Sequence, residues 1–159
     1  MLVDQYHVST PLKVLLKDFV DQAWLDACDD VQISGLSIDS RDTRKGDLFI
    51  AGRGVSAHAL RFADQAVDQG ASAVLWDECD GCDDVIEKIS QQTCCLHCDG
   101  LKMKTGEIAD RFYQRPTSKL KVTGVTGTNG KTSVAHFIAQ CMDQADRRCG
   151  VLGTLGNGF

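Results

Sequence analysis

Apolar residues along this chain recur in two rhythms, one of helices and one of short buried strands. Leu12, Leu15, Leu16 and Phe19 repeat at helical spacing behind Ser9-Thr10-Pro11, a helix start with Pro in its first turn. Gly35 to Asp39 reads as a short strand and Arg44 to Asp47 as a turn. Leu48-Phe49-Ile50-Ala51 has no polar position, as a strand covered on both faces requires. After a loop from Gly52 to Ala57, Leu60, Ala63, Ala66 and Val67 share a helix face that Gly70 is suited to cap. Ala73 to Trp76 predicts a strand, Asp83 to Ser90 a short helix, and Thr93 to Cys98 another strand. Lys102 to Tyr113 predicts a helix that stops near Arg115, because the residue before Pro116 is pushed out of helical geometry.

Beyond a polar connection from Gln114 to Lys119, the pattern starts again. Leu120 to Thr126 reads as a strand, Lys131 to Ala145 as an amphipathic helix bearing Val134, Phe137, Ile138 and Cys141, and Cys149 to Leu152 as a last strand. Strands alternating with helices predict an α/β chain with mostly parallel pairing. The expected division is 1–115 and 116–159.

Composition narrows the partners. The chain has 159 residues, 43% hydrophobic and 25% charged, which suits a globular protein with a core. A net charge of −5 argues against nucleic acid and anionic membranes as partners. No apolar run approaches the ~20 residues of a membrane span. Met1 to Gln5 has neither a basic nor an apolar start, so no signal peptide is expected, and the expected location is the cytoplasm. There the eight cysteines should be reduced.

The densest chemistry lies in Val122-Thr123-Gly124-Val125-Thr126-Gly127-Thr128-Asn129-Gly130-Lys131-Thr132-Ser133. A strand, a Gly-rich turn ending in Lys-Thr and an amphipathic helix make an anion cradle of backbone N–H groups at a helix N-terminus. Lys131 adds a charge for the β- and γ-phosphates of ATP, and Thr132 offers a hydroxyl to Mg²⁺. The pattern is a variant, because Val125 stands where the common motif has its first glycine. The competing reading, a plain β-turn, does not account for the order of strand, glycines, Lys, Thr and helix.

Thr126-Gly127-Thr128-Asn129-Gly130-Lys131-Thr132 resembles the ATP loop of the Mur ligases and their folylpolyglutamate synthase relatives. Leu36-Ser37-Ile38-Asp39-Ser40-Arg41, Lys45-Gly46-Asp47-Leu48-Phe49-Ile50-Ala51, Gly70-Ala71-Ser72-Ala73-Val74 and the tail Gly153-Thr154-Leu155-Gly156-Asn157-Gly158 resemble Mur ligase segments in the same order. The resemblance implies an α/β fragment. An N-terminal UDP-sugar-binding domain over 1–115 would precede the incomplete start of a P-loop ATP-binding central domain over 116–159. It implies an ATP-dependent amide ligase of peptidoglycan synthesis, adding a diamino acid to UDP-MurNAc-L-Ala-D-Glu through an acyl phosphate, and a monomer. Gly127, Thr128, Asn129, Gly130, Lys131, Thr132 and Ser133 would hold ATP, with Lys131 and Thr132 also catalytic. Ile38 and Ser40 would lie near uracil, the Ser40 hydroxyl pointing into a cleft, and Val55, Ser56 and Ala57 near the pyrophosphate. Too few residues follow Lys131 to complete a nucleotide-binding sheet, so this chain alone should not ligate. Alternatives are another P-loop NTPase or folylpolyglutamate-type ligase, and a non-catalytic nucleotide-sugar or zinc-binding module.

Cys79-Asp80-Gly81-Cys82 and Cys95-Leu96-His97-Cys98 have the spacing of a four-thiolate zinc site. The favoured reading is that these cysteines serve as small core hydrophobes, with strand alternation sending Cys95 and Cys98 to opposite faces. His58, at a helix start, reads first as a solvated residue and second as a neighbour of the nucleotide-sugar. Asp39 and Arg41 read equally as ligand contacts or as a turn-stabilising ion pair.

Overall fold

The structure, a computed structural model, describes residues 9–28, 30–54 and 57–158. The expectation placed on Met1 to Gln5 lies outside them. The chain divides into two compact units, Met1–Lys119 and Leu120–Phe159.

The first unit is built on a four-stranded parallel sheet in the order β3 (Gly35–Ser37), β4 (Asp47–Ala51), β5 (Ala73–Trp76), β6 (Cys94–His97). Every residue of β4 is buried. Alternation splits its side chains between two cores: Leu48 and Ile50 face one, Phe49 and Ala51 the other. The first core is closed by α1 (Leu12–Leu16), α2 (Gln22–Asp26) and α5 (Leu101–Phe112), through Leu12, Leu15, Leu16, Leu25, Ile108 and Phe112. The second is closed by a 3₁₀ turn at Ala59–Phe62, by α3 (Ala63–Asp68) and by α4 (Asp83–Ser90). Each large apolar side chain buried this way contributes about 1.5–3 kcal/mol. A two-residue antiparallel pair, β1 (Thr10–Pro11) with β2 (Gln32–Ile33), fastens the start of the described chain. A 3₁₀ turn, Pro116–Lys119, ends the unit, and Thr117 Oγ1 donates to Asp110 Oδ1 at 2.7 Å.

Gly70 links α3 to the turn before β4. It takes φ +100 just past the end of α3, and a Cβ there would lie 3.1 Å from Lys45 Cα. Its N–H donates to Val67 O and its carbonyl accepts from Gly46 N, both at 2.9 Å. The exit of α3 is thereby tied to the turn that launches β4.

The second unit contains α6 (Lys131–Gln144) and an antiparallel hairpin of β7 (Val151–Gly153) with β8 (Gly156–Gly158). Two expectations are corrected here. Residues 120–126 form no strand, because no ladder among the described residues takes up their N–H and C=O groups. The segment after Cys149 pairs locally across Thr154-Leu155, so the last strand is half of a hairpin and is not part of a parallel sheet. No described residue of this unit is buried.

Candidate functional site

Two clusters are the candidates for chemistry, one in each unit. In the first unit the turn after β3 and the loop after β4 lie at the C-terminal edge of the sheet, where open α/β folds bind ligands. The turn is stiffened by its own polar groups. Ser37 Oγ and Thr43 Oγ1 are 3.0 Å apart and buried, and Thr43 Oγ1 donates to Asp39 O at 3.2 Å. The Arg41 backbone N–H and Nε both donate to Asp39 Oδ1, at 3.0 and 2.9 Å, and Nη2 meets Oδ2. The Asp39–Arg41 pair is therefore a turn-stabilising ion pair. The guanidinium and backbone bonds from Arg41 hold the Asp39 carboxyl down to about 2.

Ser40 is 6% exposed, and its hydroxyl donates to Gln65 Oε1 of α3 at 2.9 Å. Its proton is thus turned into the protein, contrary to the expected aim into a cleft, and only its remaining lone pair can serve a ligand. Ile38 stands out, 71% exposed, as the apolar surface of the same turn. Gln65 and Thr43 escaped sequence reading, since neither lies in a motif. Their roles come from contacts across 25 residues and inside a turn.

In the loop after β4, Arg53 and His58 form an isolated antiparallel bridge, Ala59 N donates to Gly52 O, and Gly54 N donates to Ala57 O. Val55 and Ser56 lie outside the described residues. Ala57 is exposed beside them. His58 is 8% exposed, which corrects its reading as a solvated residue. Its ring caps the 59–62 turn by accepting from Leu60 N at 3.2 Å. Burial pushes its pKa below the ordinary value, with Arg53 helping.

In the second unit Gly127 and Gly130 take φ +151 and +78, and Gly130 stands at the N-terminus of α6. No side chain caps that terminus, which leaves its first N–H groups without a side-chain acceptor, as an anion site requires. Lys131 Nζ lies back over the loop, donating to Gly127 O at 2.6 Å and Thr128 O at 3.4 Å. Thr128, Asn129 and Ser133 are exposed along the same turn, and Thr132 is half-buried. The cradle, the lysine and the helix terminus fit a triphosphate. For Mg²⁺ the loop offers the Thr132 hydroxyl, and no cluster of three or more His, Cys, Asp or Glu gathers among the described residues. That donor fits a magnesium ion whose other ligands are phosphate oxygens and water.

The cysteines depart from expectation. Cys28 is disulfide-bonded to Cys94, and Cys79 to Cys82, where reduced thiols were expected. Cys28, just past α2, and Cys94, opening β6, both pack against the first core, with Cα atoms 6.1 Å apart. The fold brings together residues 66 apart, which spacing rules do not reveal. Cys95 and Cys98 fall on opposite faces of the sheet, in the second and first cores. Burial raises the Cys95 thiol to about 11 and raises Cys98 as well. The four thiols of the zinc-like spacing do not converge.

Two shallow hollows among the described residues of the first unit flank α2 and β6. Neither is lined by Ile38, Ser40 or Ala57.

Residues 32–108 match the profile described as Mur ligase family, catalytic domain, and residues 125–159 match the Mur ligase middle domain. Two curated relatives are UDP-N-acetylmuramoyl-L-alanyl-D-glutamate--2,6-diaminopimelate ligases. That of Alkalilimnicola ehrlichii is 40% identical over 87% of this chain and 29% of its own length. That of Coxiella burnetii is 41% identical over 82% and 26%. A solved structure of a ligase of the same name superposes with a TM-score of 0.66 at 27% identity, covering 95% of this chain and 29% of that one. The chain spans less than a third of the length of these curated relatives. Among the described residues no helix is long and apolar enough to cross a membrane.

Proposed function

Since this chain belongs to the Mur ligase family, we propose that it supplies two binding elements of a ligase joining 2,6-diaminopimelate to UDP-N-acetylmuramoyl-L-alanyl-D-glutamate. The first unit grips the uridine diphosphate end and the second the phosphates of ATP. The observation that carries this reading is the conjunction, in family order, of the polar turn after β3 and the Gly-Lys-Thr loop opening α6. The relatives' names supply the amino acid, and the two roles, rather than the whole reaction, are assigned to these residues.

Each residue's part follows from its placement. Ile38 offers an apolar face for the uracil ring, and Ser40, fixed by Gln65, offers an oxygen at the ring's polar edge. Ala57, exposed in the loop after β4, lies near the diphosphate, as the family resemblance implies also for Val55 and Ser56, which lie outside the described residues. Lys131 exchanges its bonds to the Gly127 and Thr128 carbonyls for phosphate oxygens and neutralises their charge. The backbone from Gly127 to Ser133 orients the triphosphate, and Thr132 holds Mg²⁺. ATP, when bound, supplies the phosphoryl group that activates the substrate carboxylate toward an amine.

The test is amide NMR on the 159-residue chain, titrated separately with UDP-N-acetylglucosamine and with MgATP. The sugar nucleotide should move amides at 37–60 and near Gln65, and MgATP those at 127–133. A UDP response confined to 127–133, or no response to either ligand, would sink the reading.

A further inference from the structure

The bond between Ser40 and Gln65 decides what kind of group Ser40 can offer. A hydroxyl carries one proton and two lone pairs, so an unconstrained serine turns to donate or to accept as its partner requires. Ser40 lacks that freedom. Its proton goes to Gln65 Oε1 at 2.9 Å, and at 6% exposure water has little access to draw it elsewhere. What remains for a ligand is an acceptor.

Separate parts of the fold hold the two ends of this bond. Ser40 lies in the turn after β3, between Asp39 and Arg41, which are joined through backbone and side chain, and inside the span closed by Ser37 Oγ and Thr43 Oγ1. Gln65 stands on α3 between Ala63 and Ala66, both fully buried in the second core. The amide oxygen therefore meets the hydroxyl at a fixed place.

The two pyrimidine bases differ where such an acceptor would read them. Uracil carries a proton on its N3, between two carbonyl oxygens. Cytosine carries a bare lone pair there, beside an amino group. An oxygen that can only accept pairs with the first and meets the second lone pair to lone pair. A polar group left unpaired in a buried site is strongly penalised.

We infer that Gln65 is a positioning residue for base specificity: by taking the Ser40 proton it makes Ser40 an acceptor, and the first unit thereby selects uracil over cytosine nucleotides. This rests on the reading that Ser40 lies at the polar edge of the base. Gln65 acts through Ser40 and need touch nothing on the ligand.

UDP and CDP are the probes, since they share ribose and diphosphate and differ only in the base. Calorimetry on the full 159-residue chain gives the ratio of their affinities. The wild type should favour UDP by about tenfold or more. Gln65→Leu removes the acceptor and keeps a good helix former on α3. It frees the Ser40 proton, so CDP should bind more tightly than it does to the wild type, and the ratio should fall below about threefold. Gln65→Glu offers only acceptor oxygens and should keep the wild-type ratio, because its added charge acts on both diphosphates alike. A Gln65 that merely props the turn would lower both affinities together. An unchanged ratio in Gln65→Leu therefore overturns the inference and leaves the nucleotide reading intact. So does a wild type that binds the two equally, or a Gln65→Glu that prefers CDP. If the wild type binds no UDP, the nucleotide reading fails and this inference falls with it.

Discussion

The Ser40 hydroxyl donates to Gln65 Oε1 at 2.9 Å across 25 residues of chain. This bond fastens the turn after β3 to the flank of α3, and it places a residue expected to touch uracil in a supporting role as well. Ser40→Ala leaves the Gln65 oxygen without its donor in a part-buried setting, at a cost of about 0.5–1.5 kcal/mol. Urea denaturation should show that loss. Calorimetry should show weaker UDP binding in the same variant, since the turn is no longer anchored. An unchanged urea midpoint would mean that the bond holds nothing.

Lys131 behaves differently, because its bonds to Gly127 O and Thr128 O are exposed and local to the loop. Lys131→Ala should leave stability within about 0.5 kcal/mol, as for other exposed substitutions. It should abolish the amide shifts that MgATP causes at 127–133. UDP binding should be unaltered. Loss of UDP binding in this variant would contradict the assignment of one ligand end to each unit.

How much of this was legible in the sequence follows from how local each signal is. Ala73–Trp76 and Asp83–Ser90 occur where the apolar pattern and turn residues placed them, because period and punctuation are local properties. Cys95 and Cys98 split between faces for the same reason. The strand expected over 120–126 failed because a strand needs a partner, and β-propensity only marks a segment able to use one. The Gly127–Thr132 loop was readable since one short segment supplies all its parts. The Gln65 partner of Ser40 and the inward ring of His58 were not, since both depend on how α3 and the 59–62 turn lie on the sheet.

The Cys28–Cys94 bond closes a 66-residue separation across the first core. On a chain-entropy argument, closing a loop of that length constrains the denatured chain by about 4 kcal/mol. Cys79 and Cys82 lie only three residues apart, so on the same argument their bond constrains the denatured chain by less than half as much. Reductant should therefore lower the urea midpoint of the wild type markedly, and that of Cys94→Ser much less. Peptide mapping without reduction should recover Cys28 linked to Cys94. Equal midpoints with and without reductant would remove this bond from the account of stability.

Stability should be uneven along the chain. β4 and β5 lie between two cores, with Leu48, Phe49, Val74 and Leu75 fully buried and ladders on both sides. Their amides should open only with the unit as a whole. The segment from 120 onward has a single 14-residue helix, a hairpin with three residues in each strand, and no buried described residue. An isolated helix of that length and a lone two-stranded hairpin are each marginal in water. Phe137 remains 63% exposed on α6, so the apolar face adds little burial to hold the helix. Hydrogen exchange followed by mass spectrometry should show slow exchange across 47–51 and 73–76 and fast exchange across 131–158. Saturating MgATP should slow exchange at 127–134, where the ligand ties the loop to the first turn of α6. Protection across 131–158 as high as in β4 without ligand would refute this gradient.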